Sequence, residues 1–196
     1  MNAPERFFLP DIQASTDLRR LAIDKVGVRG LRYPLALLDA SGKVQHTVAQ
    51  LSMTVGLPSE QKGTHMSRFL EILEQRRAPL NINRLLRLFE DMLLRLDADS
   101  GEIELAFPCF VSKAAPVSGV ESLLDYDVRM VVGKRPGQSV ELSLEVVAPV
   151  TSLCPCSREI SDYGAHNQRS HITIGARLRS GMSPEELLRI AEEEAS

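Results

Sequence analysis

Two of the three cysteines and two of the four histidines in this chain lie within residues 151–171. Cys154 and Cys156 flank a single proline, and His166 and His171 follow them. Thiolate and imidazole groups are the ligands with which proteins commonly hold zinc and other transition metals. A closed structural zinc site usually shows CxxC pairs and four ligands, which this stretch lacks. The spacing therefore favours an open metal site with few protein ligands and a bound water.

The two histidines are unequal candidates, because they are five residues apart. If the chain is extended from Ala165 onward, they point to opposite faces of the strand. His166 follows Gly164 closely and is nearer to the cysteines, so we expect it to be the ligand. His171 is expected to pack or to form a hydrogen bond. The alternative for the cysteines is that they are small buried hydrophobic residues, as we expect for Cys109 in a predicted strand.

Composition indicates an ordinary globular protein without a nucleic-acid or membrane partner. The 196 residues are 43% hydrophobic and 25% charged, with a net charge of -3. No apolar run reaches the roughly 18 residues that would span a bilayer, and the N-terminus lacks the apolar core of a secretory signal. We therefore expect a cytoplasmic location, where thiols stay reduced. Metal binding or catalysis is then the better interpretation of the Cys154 and Cys156 pair.

Apolar residues at alternating positions, bounded by turn signals, predict six strands. The predicted strands lie within residues 26–38, 44–57, 103–117, 128–132, 140–146 and 172–178. Gly27 and Gly30 interrupt the first of them. They predict a bulge or a close approach of another backbone segment. The polar stretch between the last two strands, which contains the cysteines, is predicted to be a loop.

Helical spacing predicts three helices. Met66, Phe69, Leu70 and Leu73 would form one apolar stripe on the first helix, and the second helix is predicted to begin near Asn81. A capping box at residues 183–186 predicts the start of the third.

The order of these elements repeats along the chain. Strand, strand, helix, helix, strand, strand over the first 133 residues is followed by a second series that begins in the same way. We therefore predict an α+β protein with three parts: an irregular lead-in (1–24), a first unit (25–133) and an incomplete second unit (138–196). Such a unit would leave apolar faces uncovered. The expectation is that the chain is truncated or relies on partner subunits.

A second group of candidate residues surrounds the predicted start of the first helix. Lys62, His65 and Arg68 lie there. Free N–H groups and the helix dipole favour an anion at such a position, and the cationic side chains add full charges. The simpler alternative is a solvated loop with an ordinary helix cap. This alternative becomes less favoured only if the rest of the site binds a phosphate-bearing nucleotide.

Several blocks of sequence resemble one known family. Residues 149–157, Pro-Val-Thr-Ser-Leu-Cys-Pro-Cys-Ser, and residues 163–170, Tyr-Gly-Ala-His-Asn-Gln-Arg-Ser, resemble the signature of the type IB GTP cyclohydrolases. Residues 23–31 and 62–69 resemble two further blocks of that family. The resemblance covers essentially the whole chain.

The resemblance implies a tunnelling fold, in which a unit is an antiparallel sheet with two helices on one face. Two such units form a subunit, and subunits usually assemble as a homotetramer with active sites at the interfaces. The implied reaction converts GTP and water to 7,8-dihydroneopterin triphosphate and formate, at the start of tetrahydrofolate biosynthesis. The implied cofactor is a divalent transition metal: zinc, manganese or iron.

The resemblance also implies roles for individual residues. Cys154 matches the catalytic cysteine and metal ligand, and His166 matches a histidine ligand. Lys62, His65 and Arg68 would face the triphosphate, an assignment that rests on charge and helix position. The family pattern continues beyond residue 196, with one glutamate ligand and one glutamate that anchors the base, which have no match here. The acidic run at 192–194 is expected to be a solvated helix face instead.

Two alternatives remain open. A truncated, non-catalytic module of the same fold would bind GTP or metal without releasing formate. The nitrile reductase of queuosine synthesis is a related tunnelling-fold enzyme that also uses a cysteine, but its signature has no match in this sequence.

Overall fold

The protein forms one antiparallel sheet with helices packed on one side. The computed structural model describes residues 18–39, 41–75, 78–115, 117–164, 166–179 and 182–194. The elements in these residues are, in chain order, β1 (Ile23–Leu38), β2 (Val44–Leu57), α1 (Met66–Gln75), α2 (Ile82–Arg95), β3 (Gly101–Ala114), β4 (Glu121–Lys134), β5 (Glu141–Leu153), α3 (Pro155–Ile160), β6 (Asn167–Leu178) and α4 (Pro184–Glu194).

All neighbouring strands are antiparallel, and their spatial order is their chain order from β1 to β6. The pairs from Asp127↔Val147 to Gly133↔Glu141 join β4 to β5, so one continuous sheet runs through both predicted units. This architecture confirms the α+β prediction. The division at residues 133 and 138 stays a prediction, and residues 1–17 of the predicted lead-in lie outside the described part.

The core lies between the sheet and the helices. Alternate residues of β2, β3, β4 and β5 are buried on this side, such as Ile103, Leu105 and Phe107 of β3, and they join Phe69 of α1 and Phe89 of α2 in one cluster. Burying a side chain of this size contributes about 1.5–3 kcal/mol. The apolar residues that alternate along the strands and those of the helical stripes therefore pack together in a single layer.

Cys109 lies in this core, as predicted. Burial raises the pKa of its thiol to about 12, with smaller contributions from the negative charges of Glu185 and Asp39. Such a thiol is inert at neutral pH, because the thiolate is the reactive form.

The buried side of α1 differs from the predicted stripe. Phe69, Ile72 and Leu73 face the core, whereas Met66 is 40% exposed and Leu70 is 48% exposed. Two apolar stripes overlap on this helix, and the one spaced i, i+3, i+4 from Phe69 packs against the sheet. The sequence period predicts the helix but not which of the overlapping stripes is buried.

Strand ends also differ from the prediction. β4 begins at Glu121 and β6 at Asn167, both before the apolar alternation starts, and β3 ends at Ala114. Backbone pairing continues through polar residues here, as in Ala114↔Glu121 and Leu153↔Asn167. Side chains exposed on both sides of a sheet leave no hydrophobic signal in the sequence.

The acidic run at the end of α4 is only partly solvated. Glu193 forms an exposed ion pair with Arg189, as expected for a surface helix. Glu192 instead accepts hydrogen bonds from Lys113 of β3 and Tyr126 of β4. Burial raises the pKa of this carboxyl, but the two donors outweigh it and lower the pKa. The prediction of a solvated face is therefore wrong for Glu192, which ties α4 to the sheet.

Two glycines interrupt β1 where the sequence predicts them to. The register between β1 and β2 shifts between Ile23 and Val26 and again between Val28 and Leu31. A Cβ atom on Gly27 would lie 2.0 Å from the carbonyl oxygen of Met53 in β2. The prediction of a bulge with close backbone approach is confirmed.

None of the helices in the described residues is long and apolar enough to cross a membrane.

Candidate metal site

The two predicted metal ligands lie at the same end of the sheet, at the mouth of the β5–β6 pair. The last paired residues are Leu153 and Asn167. Cys154 and His166 are the residues immediately beyond that pair, and the backbone N–H of Cys154 donates to the carbonyl oxygen of His166 at 3.1 Å. Although they are twelve positions apart in sequence, pairing of the two strands makes them neighbours.

The segment after Cys154 is a short helix, so the prediction of a loop throughout this stretch is wrong. Cys154 is the N-cap residue of α3, and Pro155 occupies the first turn. A proline fits there, because its fixed φ is helical and its missing N–H would have no partner. At 6 residues, α3 is too short to show a hydrophobic period, and none of its residues is buried.

The helix start changes the electrostatics of the Cys154 thiol. The N–H of Ser157 is the largest influence and lowers the pKa of Cys154, while slight burial opposes it. The Ser157 hydroxyl and the N–H of Cys156 lower this pKa further. A thiolate is the form that binds metals and acts as a nucleophile. Cys156 also lies in α3 and is exposed.

The imidazole of His166 has a defined partner. Its Nδ1 lies 3.2 Å from the carbonyl oxygen of Asn167. A carbonyl only accepts, so this contact is a hydrogen bond when Nδ1 carries the proton. Nε2 then keeps its lone pair, which is the arrangement that most metal-binding histidines show.

The donor chemistry of this pair fits a transition metal. One thiolate and one imidazole suit zinc or iron, and manganese if carboxylates complete the shell. Among the described residues, no cluster of three or more His, Cys, Asp or Glu side chains could hold a metal ion. His171 pairs with Pro149, four pairs further into the sheet. Cys154 and His166 could thus provide part of a ligand set, with positions left for water or for other groups.

The predicted phosphate-binding residues lie elsewhere. Lys62 and His65 precede α1, and Arg68 lies in its first turn and donates from Nη1 to the carbonyl oxygen of Arg95 at 3.2 Å. This region follows the last residue of β2, and because the strands are antiparallel it lies at the opposite end of the sheet from Cys154.

Strand length gives the scale of that separation. β2 has 14 residues, and at about 3.3 Å per residue it spans roughly 40 Å. One chain therefore brings Cys154 and His166 together but does not bring Lys62, His65 and Arg68 to them.

Sequence reasoning does not single out Ser157, whose hydroxyl lies between the two predicted ligands. It donates to the carbonyl oxygen of Cys154 and accepts from the N–H of His166, both at 3.1 Å. A serine three residues after a cysteine at a helix start is a weak signal, because serine often bonds nearby backbone groups. Its significance depends on the pairing of β5 with β6.

Comparisons with known proteins agree with the sequence blocks described above. The family model described as "Type I GTP cyclohydrolase folE2" matches residues 9–196. A protein from Dechloromonas aromatica named GTP cyclohydrolase FolE2 1 is 68% identical over 196 residues, which are 100% of this chain and 74% of that protein. GTP cyclohydrolase FolE2 from Burkholderia multivorans is 55% identical over 190 residues, 97% of this chain and 70% of that protein. GTP cyclohydrolase FolE2 2 from Cupriavidus metallidurans is 54% identical with the same coverage.

Proposed function

Because this chain belongs to the type I GTP cyclohydrolase FolE2 family, we propose that it is a metal-dependent GTP cyclohydrolase. The proposed reaction converts GTP and water to 7,8-dihydroneopterin triphosphate and formate, the first step of tetrahydrofolate biosynthesis. The observation that best supports metal dependence is the juxtaposition of Cys154 and His166 at the mouth of the β5–β6 pair.

The proposed roles follow from the chemistry of the two side chains. A bound zinc, manganese or iron ion would polarise water and stabilise the negative charge that develops near C8 of the guanine ring. Cys154 would bind that ion as a thiolate, which the neighbouring N–H groups of α3 stabilise. His166 would bind it through Nε2, with Nδ1 held by the Asn167 carbonyl. One water adds at C8 and opens the imidazole ring of guanine to a formamide, and a second water hydrolyses that formamide to release C8 as formate. Closure of the new ring with the rearranged ribose carbons expels one water, so one water is consumed overall.

Binding of the triphosphate is assigned to the start of α1. Lys62, His65 and Arg68 provide cationic or hydrogen-bonding groups at the N-terminus of α1, and these groups together with the helix dipole suit phosphate oxygens. Since this set and Cys154 lie at opposite ends of the sheet, we infer that each active site combines the α1 end of one chain with the β5–β6 mouth of another. A homotetramer with active sites at its interfaces would provide that arrangement.

The proposed metal site also requires a reducing compartment. Metal binding needs a free, deprotonated thiol at Cys154. Such thiols persist in the cytoplasm, which is where we place the reaction.

Formate release tests the proposed reaction. We expect metal-depleted protein to release no formate from GTP, and added Zn²⁺, Mn²⁺ or Fe²⁺ to restore release together with 7,8-dihydroneopterin triphosphate. Excess chelator should abolish it again. A folded chain that binds metal and GTP but releases no formate would contradict the proposal and would favour the alternative, a non-catalytic binding module.

Mixing two inactive variants tests the shared active site. Cys154→Ala removes one half of the site, and Lys62→Glu repels the triphosphate at the other half, so neither variant alone should be active. Unfolding and reassembling them together should restore about a quarter of wild-type activity, because a quarter of random pairings would unite two intact halves. Each variant reassembled alone is the control. If both halves belong to one chain, the mixture will stay inactive.

A further inference from the structure

Ser157 closes a ring of hydrogen bonds that contains both proposed metal ligands. The backbone N–H of His166 donates to Ser157 Oγ at 3.1 Å. Ser157 Oγ donates to the carbonyl oxygen of Cys154 at 3.1 Å. The backbone N–H of Cys154 donates to the carbonyl oxygen of His166, also at 3.1 Å. The main chains of the two ligand residues are therefore linked directly and also through one hydroxyl.

The position demands a side chain that can accept one hydrogen bond and donate another. A hydroxyl does both at a single atom, whereas alanine does neither. Ser157 is half-buried, although most residues of α3 and of the following turn are exposed. Its place three residues after Cys154, at the start of α3, turns the hydroxyl back toward the β5–β6 mouth.

The two ligands need such a link because both lie beyond the paired part of the sheet. β5 and β6 fix each other up to the pair Leu153↔Asn167. Beyond that pair, the direct link between the backbones of Cys154 and His166 is a single hydrogen bond. A metal site loses affinity when its ligands must first be brought into position, and groups that only hold the ligands commonly matter 10- to 100-fold.

We propose that Ser157 is a positioning residue, which holds Cys154 and His166 in the relative geometry that a metal ion requires. This inference rests on the proposed function, because it assumes that the two residues share one metal. In this proposal Ser157 does not itself bind the metal or GTP. Its contribution lies in fixing two backbone segments that the sheet leaves loosely connected.

Ser161 provides a matched control in the same segment. Its hydroxyl accepts a hydrogen bond from the N–H of Tyr163 at 3.3 Å. The Ser161→Ala variant therefore loses the same group and a comparable hydrogen bond without altering the ring around Cys154 and His166. Ser157→Thr is the conservative variant, because it keeps the hydroxyl.

Zinc affinity measured by competition with a chromophoric chelator tests the proposal. Ser157→Ala should weaken binding about 10- to 100-fold, whereas Ser157→Thr should restore it to within a few-fold and Ser161→Ala should leave it unchanged. In metal-free protein, amide hydrogen exchange at His166 should be faster in Ser157→Ala than in wild type or Ser161→Ala. Melting temperatures of the metal-free variants should agree within about 2 °C, because a solvated segment affects global stability little.

The possible results separate this inference from the proposed function. Unchanged zinc affinity in Ser157→Ala, unchanged exchange at His166, or equal weakening in Ser157→Ala and Ser157→Thr would overturn the role of Ser157 alone. A wild-type chain that binds no zinc would overturn the proposed metal site and this inference together. A similar loss of affinity in Ser161→Ala would show that any change in this segment is damaging, which also contradicts a specific role.

Discussion

Replacing Cys154 by alanine is expected to lower the rate of formate release from GTP at least about 10³-fold. A metal that stabilises developing charge contributes several kcal/mol to a reaction, and about 4 kcal/mol corresponds to a factor of 10³. Without the thiolate, His166 alone would hold the proposed ion from this part of the sheet. The loss should appear in kcat and should not be corrected by saturating GTP.

Cys156→Ala is the matched control for this prediction. Cys156 is two residues away, lies in α3 and is exposed. Its replacement removes the same chemical group from the same segment, and we expect activity to stay within a few-fold of wild type. Activity should be measured with the same metal content and with circular dichroism to verify folding. If Cys156→Ala abolishes formate release and Cys154→Ala does not, the assignment of the ligand is wrong.

Replacing Gly27 by alanine is expected to destabilise the protein by roughly 2–4 kcal/mol, a value at the upper end for overpacking a tightly fitted position. The new Cβ would lie 2.0 Å from Met53 O and 2.9 Å from the Cα of Thr54, both of them backbone atoms of β2. Met53 is fully buried, so β2 cannot move away without disturbing the core. Urea unfolding of both proteins measures the difference.

The Gly30→Ala variant measures the effect of backbone conformation without a clash of this kind. Gly30 has a φ of +67°, and a Cβ there would meet nothing within 4 Å. Its replacement should cost only about 1 kcal/mol, the strain of a left-handed conformation in a residue with a side chain. Equal losses for the two variants would show that the close approach of β2 is not what Gly27 provides.

The sequence predicts those elements whose signals are local. The alternating pattern of β2 predicts where that strand begins and ends, because its apolar residues face the core and the polar residues between them do not. Asn81 caps α2 by accepting from the N–H of Arg84 at 3.0 Å, and Ser183 caps α4 by accepting from the N–H of Glu186 at 3.2 Å. Such caps act within a single turn, so sequence alone reveals them.

Sequence alone does not reveal features that depend on residues far apart in the chain. Glu192 is held by Lys113 and Tyr126, which are 79 and 66 residues away. The ring around Ser157 exists only because β5 and β6 pair in one particular register. A one-residue shift of that register would separate its members. Sequence reasoning therefore proposes Cys154 and His166 but misses the residue that connects them.

The arrangement of the two candidate sets is likewise a consequence of topology. Their residue types indicate a metal site and an anion site, and nothing in the sequence indicates how far apart they are. Antiparallel pairing of successive strands places the start of α1 and the mouth of β5 and β6 at opposite ends of the sheet. This separation supports the active sites at subunit interfaces that the family resemblance implies.

Anomalous diffraction from crystals of the metal-loaded protein tests the central claim most directly, namely that Cys154 and His166 share one metal ion. For zinc, we predict a single strong peak at the β5–β6 mouth, about 2.3 Å from Cys154 Sγ and about 2.0–2.1 Å from His166 Nε2. A peak bound through Cys156, or a fully loaded protein without a peak between Cys154 and His166, would contradict the account.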